Sequence, residues 1–393
     1  MPLPLIALFV AAFAFGTTEF VIAGILPQVA EGLGVSIPSA GYLVTGYALG
    51  IAIGGPLATI ATTRVPRRTL LIALALIFTA GQVACALAPG FASMLLVRVA
   101  VAVAHGVFFG VAMVVAVGLV REEKRGMAVA FVLAGLTVSN IVGVPAGAAI
   151  GNLFGWRATF WAMFALGIVA TAAMIALLPR GGDGKAAAPA GLAGEVRVLG
   201  RQQVWSSLML MLLLMIGQFV PYTYIAPLLQ EVTGLSAATV PWVLLLNGIG
   251  ATVGVFVGGR LAGWKLMPSL IALLVVQSAV LATMYLSSES PLPMVAVIVL
   301  WGTVNFSIGT PIQTRILTWT ADAPNLASSL IPSGFNVGIA LASSIGALLL
   351  DTGFGYRSLP VLGIFAMLVA AGVAALSHAA ERRSGARPPL PRG

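Results

Sequence analysis

One cysteine, Cys85, is all that the 393 residues contain. That excludes an intrachain disulfide and leaves too few thiols for a structural metal site. Charge is nearly as scarce, with 8% of residues charged against 60% hydrophobic and a mean hydropathy of +1.07. A soluble domain carries about a quarter of its residues as charges, so this chain cannot coat a water-soluble globule. Histidine occurs twice. No nucleophile, metal cluster or cofactor motif appears, and there is no Walker sequence for direct ATP drive. An enzyme is therefore not expected, and neither is a cofactor or a metal.

What remains is apolar sequence in long runs. A helical crossing needs about 20 apolar residues, and twelve spans follow on that basis: Leu3–Leu26, Ala40–Ala61, Thr69–Leu87, Phe91–Leu119, Gly126–Ile150, Trp156–Leu178, Trp205–Leu229, Ala237–Ala262, Leu266–Leu286, Met294–Leu317, Ala327–Leu350 and Leu359–Ser377. The first run is read as a span and not a cleaved leader, because no basic segment precedes it and eleven more spans follow. The lipid bilayer is thus the chain's solvent.

The net charge of +9 could suggest nucleic acid, but the basic residues lie in short clusters between apolar runs. With a cytoplasmic amino terminus, all 20 Lys and Arg fall on the cytoplasmic side except Arg157, Arg357 and the intramembrane Arg98. Lys185, Arg387 and Arg392 belong to that cytoplasmic set. This asymmetry places both termini inside.

The one long polar stretch, Pro179–Gln203, is rich in Gly, Ala and Pro and divides the spans six and six. It reads as a linker. The expected organisation is an amino-terminal six-helix bundle (1–178), a cytoplasmic linker (179–204), a carboxy-terminal six-helix bundle (205–378) and a cytoplasmic tail (379–393). The halves resemble each other at a constant offset: Pro27/Pro227, Glu31/Glu231, Gly34/Gly234, Ser36/Ser236, and "GWR" at Gly155 against "GYR" at Gly355. An equal offset across an even number of spans gives both halves the same topology, a parallel repeat about an axis along the membrane normal.

Against this background the stretch "GTTEFVIAG" (Gly16–Gly24) stands out, because Glu19 is the only ionisable side chain of the first span. A charge near mid-membrane costs about 2.5–3.5 kcal/mol on insertion scales and marks a functional site by default. A carboxyl group there is either a structural acid, hydrogen-bonded to Thr17, Thr18 or a neighbouring helix in a passive facilitator, or a proton carrier, neutral facing one side and charged facing the other, that couples proton flow to substrate flow. Arg98 is read as the only other formally charged residue well inside a span. It either snorkels outward or faces the first span and modulates Glu19. His105 lies two turns further along the same face and is either a relay or a packing residue.

Several stretches resemble the twelve-span drug/proton antiporter branch of the major facilitator superfamily, especially arabinose-efflux-like and chloramphenicol-resistance-like exporters. They are "GTTEFVIAGILP", "RVAVAVAHGVFFG" (Arg98–Gly110), "GLTVSNIVGVPAGAAIG" (Gly135–Gly151) and "GWRATFW". The resemblance implies an all-α major facilitator fold and proton-coupled multidrug efflux from a bacterial inner membrane, and supports Glu19 as the coupling acid, with Arg98 and His105 its candidate partners in proton coupling. The loop "TIATTRVPRR" (Thr59–Arg68) departs from the superfamily pattern. Thr63 stands where an aspartate is usual, while Arg64, Arg67 and Arg68 remain as gating candidates.

The fifth span's Gly143 and Gly147, with Pro145 between them, form a smooth, bent helix face suited to close packing and gating. Candidate substrate-binding residues are Asn140, Gln218, Tyr222, Tyr224, Asn247, Asn305 and Asn336, although membrane Asn and Gln also join helices. No second acid lies deep in the membrane on this reading, so neutral or weakly charged substrates such as a phenicol, a sugar or a nucleoside fit better than a dication. The expected partners are a small-molecule substrate, protons and the bilayer, with the chain acting as a monomer.

Overall fold

The computed structural model describes residues 2–180 and 196–385, apart from the side chains of 196 and 324–329. Lys185, Arg387, Arg392 and most of the Pro179–Gln203 linker lie outside the described residues. Among the described residues all regular structure is helical. The long helices are α1 (Leu3–Leu33), α2 (Ile37–Ala61), α3 (Arg67–Ala86), α4 (Phe91–Gly118), α5 (Glu122–Phe154), α6 (Trp156–Leu177) and α7 (Gln202–Thr223). Next comes a continuous 48-residue stretch, Val240–Ser287. At 1.5 Å per residue it would run about 72 Å, more than twice the hydrocarbon core of about 30 Å. Lys265 breaks it with φ −142° and ψ 86°, giving α8 (240–264) and α9 (266–287). The set closes with α10 (Pro291–Trp319), α11 (Pro324–Asp351) and α12 (Leu359–Ser384). Twelve apolar helices result, as the hydropathy pattern requires.

The chain divides into two compact units, one comprising Met1–Ala187 with Ser236–Leu245, the other Ala188–Leu235 with Leu246–Gly393. The sequence repeat recurs in the backbone. Gly34 and Gly234 both take positive φ, 64° and 75°, the left-handed conformation that ends a helix cheaply only at glycine. Ser36 pairs with Ser39, and Ser236 with Thr239, each at 2.9 Å. Helical geometry also fails just before each repeat proline, at Ile25 before Pro27 and at Tyr224 before Pro227.

In the first unit, α5 is seated against α1 through its glycines. A side chain at Gly135 would meet the Phe9 carbonyl at 2.5 Å, one at Gly147 would meet Val21 at 2.5 Å, and one at Gly151 would meet Ile25 at 2.7 Å. Gly143 faces Thr17 in the same series. The partners on α1 advance in step with the glycines, so the two helices run alongside each other at close range. A π-turn at Ser139–Gly143 precedes Pro145. It absorbs the bend where proline supplies no N–H. This packing fixes α1, and with it the position of Glu19.

Candidate functional site

Glu19 follows the buried Thr17 and Thr18 on α1. Its side chain is 11% exposed, and Nε2 of His105 on α4 lies 3.9 Å from its Oε2. The other imidazole nitrogen, Nδ1, is 3.0 Å from the hydroxyl of Tyr47 on α2. Phe15 and Phe109 flank the imidazole, each with its ring centroid 5.1 Å away. The ring is thus held by aromatic packing, with one nitrogen turned to a phenol and the other to a carboxylate.

Arg98 is 1% exposed and therefore does not snorkel. It reaches α1 and α2 through their backbone: Nη1 donates to the Thr18 carbonyl and Nε to the Leu43 carbonyl, both at 3.3 Å. Its guanidinium carbon lies 4.7 Å from the centroid of the Tyr47 ring, within cation–π range. Nη2 is buried without a partner. Among the described residues the ion-pair contact to Glu19 comes from His105 and not from Arg98. Thr18 donates to Gln82 Oε1 on α3 at 3.2 Å, and the Gln82 amide nitrogen is buried and unpartnered. The first four helices therefore converge on one polar cluster inside an apolar bundle.

In the second unit, Arg315 meets Ser206 and Ser207 while the rings of Tyr222 and Trp301 stand 6.0 Å apart. This register makes α7 and α10 antiparallel and sets Gln218 level with Asn305. Both are buried, and Gln218 Oε1, Asn305 Oδ1 and Trp301 Nε1 have no partner among the described residues. Phe219 adds a third ring, 5.4 Å from Tyr222. Two free acceptors, a free donor and aromatic faces are what a neutral, hydrogen-bonding amphiphile needs.

The other substrate candidates lie elsewhere. Asn247 donates to the Ile298 carbonyl at 2.9 Å, tying α8 to α10, and Tyr224 donates to the Ser343 carbonyl at 3.0 Å, tying the end of α7 to α11. Gly334 and Gly338 face Met211 and Met215, so Asn336, between them, lies more than a turn from Gln218; its Oδ1 is unpartnered. Asn140 belongs to the first unit, where it donates to the Leu136 carbonyl at 3.1 Å within its own helix.

A sequence model of the Major Facilitator Superfamily matches residues 8–318. The chain belongs to that superfamily. Inner membrane transport protein YdhP of Escherichia coli K12 is 37% identical over 95% of this chain and 94% of its own length. A chloramphenicol resistance protein of Streptomyces lividans is 34% identical, covering 88% of this chain and 89% of that one. Among solved structures, a D-xylose-proton symporter superposes with a TM-score of 0.76 at 15% identity, over 93% of this chain and 96% of the symporter. A bacterial homologue of the lysosomal transporter Spinster gives 0.74 at 17%, over 95% and 96%. Identities this low carry the fold alone. The chain is a multi-pass membrane transporter and not an enzyme.

Sequence reasoning missed several residues of this superfamily member. Tyr47 and Gln82 are uncharged and sit in ordinary apolar spans, so nothing local distinguishes them. Arg315, expected at the cytoplasmic end of its span, has a burial and a partner that hydropathy does not show. Arg315 is 1% exposed on α10 and pairs at 2.5 Å with Glu381 of α12, whose side chain is 14% exposed. The hydropathy boundary at Ser377 hid this acid, because α12 continues to Ser384. Of the gating candidates, Arg64 is exposed and Arg67 half-buried. Arg68 donates to the Leu178 and Ile175 carbonyls at 3.1 and 2.8 Å, capping the end of α6.

Proposed function

We propose that this transporter exports small, uncharged amphiphilic molecules in exchange for protons, by alternating access between its two six-helix halves. The observation that carries the reading is Glu19, a largely but not fully buried carboxylate facing an imidazole at 3.9 Å, while the neighbouring guanidinium is engaged by backbone carbonyls. A fixed arginine ion pair would hold the acid in its charged form. Without one, the carboxyl can take up a proton in one orientation of the carrier and lose it in the other.

Gln218, Asn305, Tyr222 and Trp301 supply the substrate's polar and stacking contacts. The chloramphenicol-resistance relative is in keeping with export of a phenicol-like molecule. Sugar or nucleoside export would draw on the same carboxamides, and a drug panel set against a sugar panel separates the two. The proposed setting is a bacterial inner membrane with both termini cytoplasmic. The glycine face of α5 and the arginines of the loop after α2 take part in gating.

The test compares wild type with Glu19→Gln in proteoliposomes under an imposed pH gradient. The amide keeps shape and polarity but cannot titrate. Loss of gradient-driven flux with substrate exchange retained is expected, and wild-type pH-driven flux in the variant would overturn the coupling. Lys185→Cys in a Cys85→Ala background tests orientation. An impermeant thiol reagent should label it only after cells are opened.

A further inference from the structure

Tyr47 touches both cationic candidates of the first unit. Its ring lies against Arg98 and its hydroxyl reaches His105 Nδ1 at 3.0 Å. Arg98 and His105 are two helical turns apart, about 10 Å along α4, so one phenol bridges that distance. Tyr47 is itself 1% exposed. Resting on the proton-exchange reading above, we propose that Tyr47 is a positioning residue that sets the tautomer of His105 and, through it, the hydrogen-bond donor offered to Glu19.

The chemistry follows from the inventory of the two side chains. A neutral imidazole carries one N–H and one lone pair, and a phenol at neutral pH carries an O–H. When Tyr47 donates to Nδ1, the ring hydrogen must sit on Nε2, the nitrogen facing the Glu19 carboxylate. A small ring rotation shortens that 3.9 Å approach to a hydrogen bond. In the opposite tautomer Nε2 presents a lone pair, which repels a carboxylate and suits only the protonated acid. By donating, the phenol thus holds the imidazole in the tautomer that favours the ionised form of Glu19.

The charged and titratable groups facing this set are few. Glu19 comes from α1, Arg98 and His105 from α4, and Cys85 from α3 lies near Arg98. From α2 there is only Tyr47, and α5 contains no ionisable side chain after Arg125. With Arg98 engaged by the Thr18 and Leu43 carbonyls, His105 is the side chain placed to donate to the carboxylate.

The experiment uses the full chain in nanodiscs, labelled with ¹⁵N-histidine. The chain has two histidines, so a His378→Gln variant isolates the His105 signals. At pH 7.5 the wild type should show a protonated Nε2 and a hydrogen-bonded, unprotonated Nδ1. Tyr47→Phe keeps the ring on Arg98 but removes the hydroxyl, so both tautomers should appear. Its pH profile for flux should move to alkaline pH by about one unit, the tenfold change of a lost donor to a charged group.

A wild-type Nδ1–H tautomer would overturn the inference, as would a Tyr47→Phe protein with unchanged tautomer and pH profile. If Tyr47→Phe does not fold, the wild-type spectrum alone decides. Glu19→Gln distinguishes the two levels: if its flux keeps the wild-type pH dependence, the coupling reading fails, while the spectrum still reports independently on Tyr47.

Discussion

Among the described residues each unit buries one arginine almost completely, and the two are treated in opposite ways. Arg315 in the second unit is saturated. It bonds Ser207 at 3.1 Å, Met267 at 2.7 Å, Ser206 at 3.1 Å, Ser377 at 2.7 Å and Glu381 at 2.5 Å, which links α7, α9, α10 and α12. Arg98 in the first unit has two long bonds to carbonyls, a π face and one nitrogen, Nη2, with no partner. A guanidinium has five N–H donors in a fixed fork, and leaving any of them unmet in an apolar bundle is costly. The saturated arginine is built as a strut. The unsaturated one sits beside Glu19, the acid proposed above to carry the proton.

Breaking the strut should therefore cost the most stability. Glu381→Ala strands a buried guanidinium, and about 3 kcal/mol of destabilisation is expected, at the low end for a buried pair because the acid is partly exposed. Glu19→Gln, by contrast, should leave stability within about 1 kcal/mol while removing gradient-driven flux. Denaturation of both variants in the same lipid, alongside flux per folded molecule, checks the pair. If Glu381→Ala proves as stable as wild type, or Glu19→Gln as fragile as Glu381→Ala, the contrast between strut and titrating site fails.

A smaller effect is expected where the first unit's cluster is held in register. Gly147→Leu forces a side chain into Val21, whose Cγ2 lies 2.5 Å from the position a Cβ would take. Overpacking of this kind costs about 1–3 kcal/mol, and it should displace α1 and weaken pH-driven flux together. Gly126→Ala, on the same helix but with open space around it, serves as the control and should change neither.

The smallest effect belongs to the proposed substrate residues of the second unit. Gln218→Ala and Asn305→Ala each remove one neutral hydrogen bond, worth about 0.5–1.5 kcal/mol. Each should lower apparent affinity for an exported substrate by roughly 2- to 12-fold, with the pH dependence of flux unchanged. Titrating substrate against flux in each variant measures it. A shift in the pH profile would instead tie these side chains to the proton.

The candidate site was legible in part. Glu19 announced itself because any charge within an apolar run is anomalous, and the α5 glycines because their four-residue spacing is a packing pattern in its own right. Tyr47 gave no such signal. A tyrosine in an apolar span is ordinary, and its role depends on α2 and α4 meeting at His105, far apart in the chain. Arg315 gave no sign of its burial, because it lies near the end of its span by hydropathy. Its burial comes from α12 continuing past Ser377 to bring Glu381 against it.

The sequence by itself determined the solvent, the twelve crossings and the doubled architecture. Those follow from counts and spacings along the chain, since lipid admits only helices that satisfy their own backbone. It also marked the one acid deep in an apolar run. Which groups that acid faces was decided only by tertiary structure. An arginine two turns from a histidine can equally meet a carboxylate, a carbonyl or a ring, and four helices had to pack before Arg98 took the carbonyls and left His105 to Glu19.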